Sequence, residues 1–137
     1  MKDDELLNAL SAVIMNGYAG CQIGNTCYPE WGVIIAAAGV NFYYDDGSSD
    51  VDGPRPVNLS AGQRANFYSK KPKGCVQRMF VAVTVVAPGE PAKNYTANIT
   101  DCPPNECMSS RGVAIGPKNV HLKGQSLPEW LELTVDQ

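Results

Sequence analysis

Residues able to do chemistry are few in this chain, and most stand alone. Its single histidine, His121, lies between Val120 and Leu122. An imidazole in such an alternating stretch more often faces solvent or fills a gap than catalyses. No G-x-S-x-G elbow accompanies it, so a Ser-His-Asp triad has no anchor. Five cysteines, Cys21, Cys27, Cys75, Cys102 and Cys107, could offer a thiolate partner to His121. Nothing in their local sequence lowers a thiol pKa in a recognisable way. Cys21/Cys27 and Cys102/Cys107 are separated by five and four residues. Neither is a C-x-x-C knuckle, and no histidine sits close to either pair, which disfavours a four-ligand zinc site. The first expectation is buried or free thiols in a reducing cytosol, with local disulfides as the next reading.

Carboxylates gather in one place. Asp45, Asp46, Asp50 and Asp52 crowd a stretch that also holds Ser48 and Ser49. Acidic side chains at alternate positions can surround calcium. Gly53 falls too late for an EF-hand and no closing Glu follows, so a solvated acidic turn is expected. Asp46, Asp50 and Asp52 are the calcium alternative, and no cofactor is expected. Ligand-gripping groups are better represented. Lys70, Lys71 and Lys73 follow Phe67-Tyr68. Cations beside aromatics suit anionic or zwitterionic head groups, and they also suit an ordinary solvated hairpin tip. Tyr28, Trp31, Tyr43 and Tyr44 form a second aromatic group. Such rings join an apolar body to a polar handle, which works at lipid interfaces, in sugar pockets and in sandwich cores. Asn58, Asn94 and Asn98 each begin an Asn-X-Ser/Thr triplet, a glycosylation acceptor only in a secreted chain.

The elements that must carry these residues are mostly strands. Residues 4 to 15 read as a helix, with Leu6, Leu7, Leu10, Val13 and Ile14 on one face. Asp3 or Asp4 can cap its start and Gly17 can close its end. Asn16-Gly17 is also a hairpin signal. The helix is preferred for 4 to 11, and 12 to 16 stays open between helix and strand. Trp31 to Ala37 and Val40 to Tyr44 read as two strands, and Asp45 to Pro56 as a turn-rich loop punctuated by Gly47, Gly53, Pro54 and Pro56. Val57 to Leu59 and Arg64 to Tyr68 flank a turn at Ala61-Gly62. Val76 to Val86 is the clearest strand, β-branched and long enough to be central in a sheet. Asn94 to Thr100, Val113 to Ile115, Val120 to Leu122 and Leu131 to Val135 complete the set. Thirteen Gly and ten Pro fit the tight turns of an all-β antiparallel sandwich.

The chain has 137 residues, which is one domain's worth, 1–137, without repeat or linker. It is 44% hydrophobic and 18% charged, a globular composition. A net charge of −3 makes it a poor electrostatic match to nucleic acid. Met1-Lys2-Asp3-Asp4-Glu5 lacks the cationic start and unbroken apolar run of a secretory signal. No apolar run is long enough to cross a bilayer. The expectation is a soluble protein without a signal peptide, cytoplasmic when made and released to act elsewhere.

Landmarks in order resemble those of the aegerolysins. An apolar Val13-Ile14-Met15 is followed by Trp31-Gly32, then by an acidic glycine-containing loop at Asp46-Gly47. Asp101-Cys102-Pro103 resembles the family's Asp-Cys-Pro, and Leu133-Thr134-Val135-Asp136 its final strand. Pro104 stands where the family typically has Trp, and its Cys-Gly-Arg-Ser segment has no clear counterpart. The resemblance implies a small acidic β-sandwich without a catalytic centre. It also implies binding to membrane lipids, action with a larger perforin-like partner, and service in pore-forming or insecticidal binary toxins. It suggests that Trp31 inserts at the membrane interface or stacks on a lipid head group. Three other classes compete. A carbohydrate-binding lectin would use the Asp45 to Asp52 loop, a self-assembling β module or homo-oligomer would use exposed strand edges, and a small enzyme would use Cys and His121.

Overall fold

The computed structural model describes residues 2–13, 21–30, 32–44, 46–69, 76–99, 111–116, 120–125 and 130–135, with the backbone alone for 111–113, 120–125 and 130–132. It is an all-β fold with one short N-terminal helix among the described residues. The elements are helix α1 (Asp3–Ser11) and strands β1 (Thr26–Cys27), β2 (Ile34–Tyr44), β3 (Ser49–Leu59), β4 (Arg64–Tyr68) and β5 (Val76–Val86). They continue with β6 (Glu90–Pro91), β7 (Lys93–Ile99), β8 (Arg111–Ala114), β9 (Val120–Gln125) and β10 (Trp130–Val135). Two four-stranded antiparallel sheets run in the orders β3-β2-β5-β7 and β4-β10-β9-β8, and β1 pairs with β6 in a small ribbon.

The main core lies between the two sheets. β2 contributes Ile35, Ala38, Val40, Phe42 and Tyr44; β5 contributes Val76, Met79, Val81, Val83 and Val85. Phe67, Leu133 and Val135 meet them from the second sheet. In β2 the inward set switches from odd to even numbers between Ile35 and Ala38, where the register with β5 shifts. A bulge of this kind re-aims every following side chain. Strand β5 has the bounds its sequence predicts. On β7, Ile99 is buried in the core, and Tyr95 and Ala97 pack against it half-buried, as alternation predicts.

The outer face of the first sheet is covered as well. Leu6 and Leu10 of α1 are fully buried against Ala37, Phe80 and Ala82. The helix ends at Ser11, with Ala12 as its C-cap, so Gly17 does not close it. Lys2 rather than Asp3 or Asp4 is the N-cap residue, and its backbone N–H donates to Glu5 Oε1 at 3.2 Å. Asp3 is instead turned down onto the sheet. Asn16-Gly17 lies outside the described residues.

Two further sequence expectations change. β2 is one continuous strand rather than two, and residues 49–56 belong to strand β3 rather than to a loop. Gly53, Pro54 and Pro56 read as turn punctuation, but β3 is the edge strand of its sheet. Proline is tolerated there because it has no partner to serve on the open side. Gly53 has φ +92°, and a Cβ on it would come within 2.9 Å of the Ala38 carbonyl oxygen, so that bend requires glycine.

Candidate functional site

A cap closes one end of the first sheet. Its segment 21–28 turns back on itself, with Asn25 N–H donating to Gln22 O at 3.0 Å. Gly24 N–H donates to Ala92 O and Ala92 N–H to Asn25 O, at 3.2 and 3.0 Å. Gly89 N–H reaches Cys27 O at 2.7 Å. A disulfide joins Cys21 to Cys27, so these two cysteines are not the free thiols first expected. The inner side of the cap is a dry cluster of Cys21, Cys27, Ile34, Ala36, Val86 and Ala92. Its outer side presents Ile23, 41% exposed, and Tyr28, 78% exposed. These are two of the three exposed large hydrophobic residues among those described, the third being Tyr68. The disulfide and the backbone bonds hold the segment that carries Ile23 and Tyr28 in one conformation.

The other aromatics do not join Tyr28. Tyr43 and Tyr44 end β2, a strand length of roughly 30 Å away from the cap. Tyr44 is buried, with its hydroxyl donating to Asp50 Oδ2 at 2.6 Å. Tyr43 lies half-buried beneath α1, and its hydroxyl donates to Asp3 Oδ1. Fully buried Asn41 also donates to Asp3, at 3.2 Å, and Arg78 does so at 3.1 Å. The Arg78 guanidinium lies 3.9 Å from the centre of the Tyr43 ring and donates to Asn98 at 2.6 Å. Burial pulls the Asp3 carboxyl upward. The bonds from Tyr43, Asn41 and Arg78, with the Arg78 charge, outweigh it and hold Asp3 below the usual 3.8. Burial and the Asp3 carboxylate hold the Tyr43 hydroxyl above its usual 10.0 against the opposing Arg78 charge. These groups are spent on one another, and the cluster fastens the helix start to the sheet. Asn94 fastens the other end: its amide takes a bond from Thr84 at 2.8 Å and gives one to Ser11 at 2.7 Å.

The carboxylates of the acidic stretch go to separate tasks. Asp46 Oδ1 accepts from Ser48 N–H and hydroxyl at 2.9 and 2.5 Å. Asp50 takes the Tyr44 hydroxyl. Asp52 holds Arg55 at 2.6 Å and the Tyr68 N–H at 3.0 Å. Among the described residues no three His, Cys, Asp or Glu side chains group as metal ligands.

Trp31, Asp45, Lys70, Lys71, Lys73, Cys75, Cys102, Cys107 and the Asp101-Cys102-Pro103 motif lie outside the described residues. His121 is placed by backbone only, opposite Thr134 and Ala114. The sequence gives no functional signal for Ile23 or for the Asp3–Arg78 and Asp52–Arg55 pairs. A lone Ile between Gln22 and Gly24 carries no period, and Asp3 meets Arg78 only through the fold. The spacing of Cys21 and Cys27 was the one available signal for the cap. No known protein family, curated protein or solved structure matches the chain.

Proposed function

We propose that this protein is a non-enzymatic membrane-lipid binder that serves as the membrane-recognising component of a pore-forming or insecticidal binary toxin system. One observation carries this reading: Ile23 and Tyr28 project from a disulfide-locked cap at one end of the fold. Trp31 follows within three residues of Tyr28. An isoleucine that enters the acyl boundary and a tyrosine that settles among head groups suit that environment.

The magnitudes fit a component better than a solitary binder. Burying Ile23 contributes about 2 kcal/mol, and an interfacial ring adds about 1. A total of about 3 kcal/mol corresponds to a dissociation constant of roughly several millimolar. Useful binding then requires many copies held together, by the membrane or by a larger perforin-like partner. The described cap residues, 21–30 and 87–92, include Glu30 and Glu90 but no Lys or Arg. A neutral or zwitterionic head group therefore fits the cap better than an anionic one. The lectin reading has no comparable observation behind it, because Asp46, Asp50 and Asp52 are each bonded elsewhere.

Vesicle co-sedimentation across a panel of zwitterionic, anionic and sterol-containing membranes tests this. The wild-type chain should pellet with some membrane, and Ile23→Ser/Tyr28→Ser should lose at least tenfold in binding with its fold unchanged. Failure to bind any lipid, with or without partner proteins, would overturn the function. Unchanged binding by the double variant would move the site off the cap.

A further inference from the structure

The Cys21–Cys27 disulfide joins residues 6 apart in sequence. A ring this short adds little to the stability of the folded chain, and the core between the two sheets contains neither cysteine. Both cysteines belong to the dry cluster with Ile34, Ala36, Val86 and Ala92, surroundings in which a reduced thiol packs as a small hydrophobe. One contact has no use in the oxidised chain. Cys27 Sγ lies 3.3 Å from the Asn25 carbonyl oxygen, yet a disulfide sulfur has no proton to give. A thiol at Cys27 would donate along that line, so the reduced state has its acceptor in place.

The two ends of the ring are held differently. Cys27 pairs with Glu90 in the β1–β6 ribbon, and its carbonyl accepts from Gly89 N–H at 2.7 Å. Among the described residues, Cys21 makes no hydrogen bond. We propose that Cys21–Cys27 is a reversible redox site opened by a small thiol reductant, and that opening it frees the Cys21 end of the cap while the β1–β6 ribbon stays. Cys21 is the sulfur to attack, being 7% exposed against 1% for Cys27. A reductant thiolate bonds to Cys21 Sγ, the S–S bond breaks, and its electron pair stays on Cys27 Sγ, which takes up a proton. A second thiolate bonds to the first reductant sulfur and displaces the Cys21 thiolate, which is protonated in turn. Two electrons pass from two thiols to the cap, and the reductant leaves as its own disulfide. Ile23, two residues from Cys21, then loses its fixed position, whereas Tyr28 keeps its place beside the ribbon. Such a local opening is separate from global unfolding. The redox site stands without the lipid reading; its effect on membrane binding rests on that reading.

The purified full chain in glutathione buffers tests it, with alkylation and peptide mass spectrometry reading Cys21 and Cys27. Millimolar reduced glutathione should open the pair in the folded chain, and oxidised glutathione should close it again. On opening, hydrogen exchange of the Gly24 and Asn25 amides should quicken at least tenfold, with β2 and β5 unchanged. Cys21→Ser/Cys27→Ser should show the same fast exchange without reductant. Both the reduced chain and that variant should bind zwitterionic vesicles at least threefold less than the oxidised chain. A pair that stays closed in millimolar reduced glutathione would overturn the proposal. So would opening that leaves Gly24 and Asn25 slow, opening that unfolds β2 and β5, or a reduced chain that binds vesicles as well as the oxidised one. An oxidised chain that binds no vesicle sinks the lipid reading instead, and alkylation and exchange then decide the redox site.

Discussion

Asp3 shows how one side chain decides where a helix sits. Its carboxylate accepts from Tyr43, Asn41 and Arg78, three residues brought together by two central strands. Asp3→Ala should cost about 1–3 kcal/mol, read by denaturant unfolding, because charge-assisted bonds are lost and buried Asn41 keeps an unmet N–H. The pH dependence follows from the two shifts. Asp3 is lowered in the folded chain, so its share of stability is complete above 3.8 and is lost as pH falls through its lower folded value. Tyr43 is raised, so its share is complete below 10.0 and is lost as pH rises through its higher folded value. Unfolding curves from acid to alkali should therefore flatten at both ends in Asp3→Asn. A phenolate absorbance titration should show one tyrosine whose late ionisation disappears in that variant.

At the scale of elements, α1 approaches β2 closely because Gly39 has no side chain. A Cβ there would come within 2.7 Å of Leu6 Cδ1 and 3.1 Å of Pro54 Cα. Gly39→Ala should cost about 1–3 kcal/mol in thermal or chemical unfolding, as overpacking does. Leu6→Ala alone should cost about 2–4 kcal/mol. The double variant should lose less than the sum, since Leu6 is the atom group that clashes. In the cap, Cys21→Ser/Cys27→Ser should cost about 2 kcal/mol for a loop this short. These elements differ in how well the sequence announces them. The β-branched run of β5 and the leucine spacing of α1 could be read directly, because local pattern and final burial agree. β3 could not, because Gly53, Pro54 and Pro56 are turn residues by local preference and become strand residues only at a sheet edge. The single strand β2 reads as two because its alternation changes phase at the bulge near Ala37. The cap was illegible for a different reason: its order comes from a disulfide and from bonds to 87–92, distant in sequence. Of the aromatics expected to act together, Tyr43 and Tyr44 are engaged beneath the helix and in the core, and Tyr28 alone stands out on the described surface.

For the whole molecule, the cap with Ile23 and Tyr28 is the described face that bears on the proposed function. Salt tests how that face would bind. Because the described cap carries no cation, its lipid binding should change little between low and high ionic strength, whereas a lysine-driven contact would weaken steeply. The most direct test of the proposal that the cap end enters the membrane interface uses Trp31, three residues after Tyr28 in the sequence. Trp31 and Trp130 are the chain's two tryptophans, so Trp130→Phe leaves Trp31 as the sole reporter. With vesicles containing brominated lipid, Trp31 emission should shift to the blue and be quenched as the protein pellets. A protein that pellets with those vesicles while Trp31 emission stays unshifted and unquenched would contradict the account.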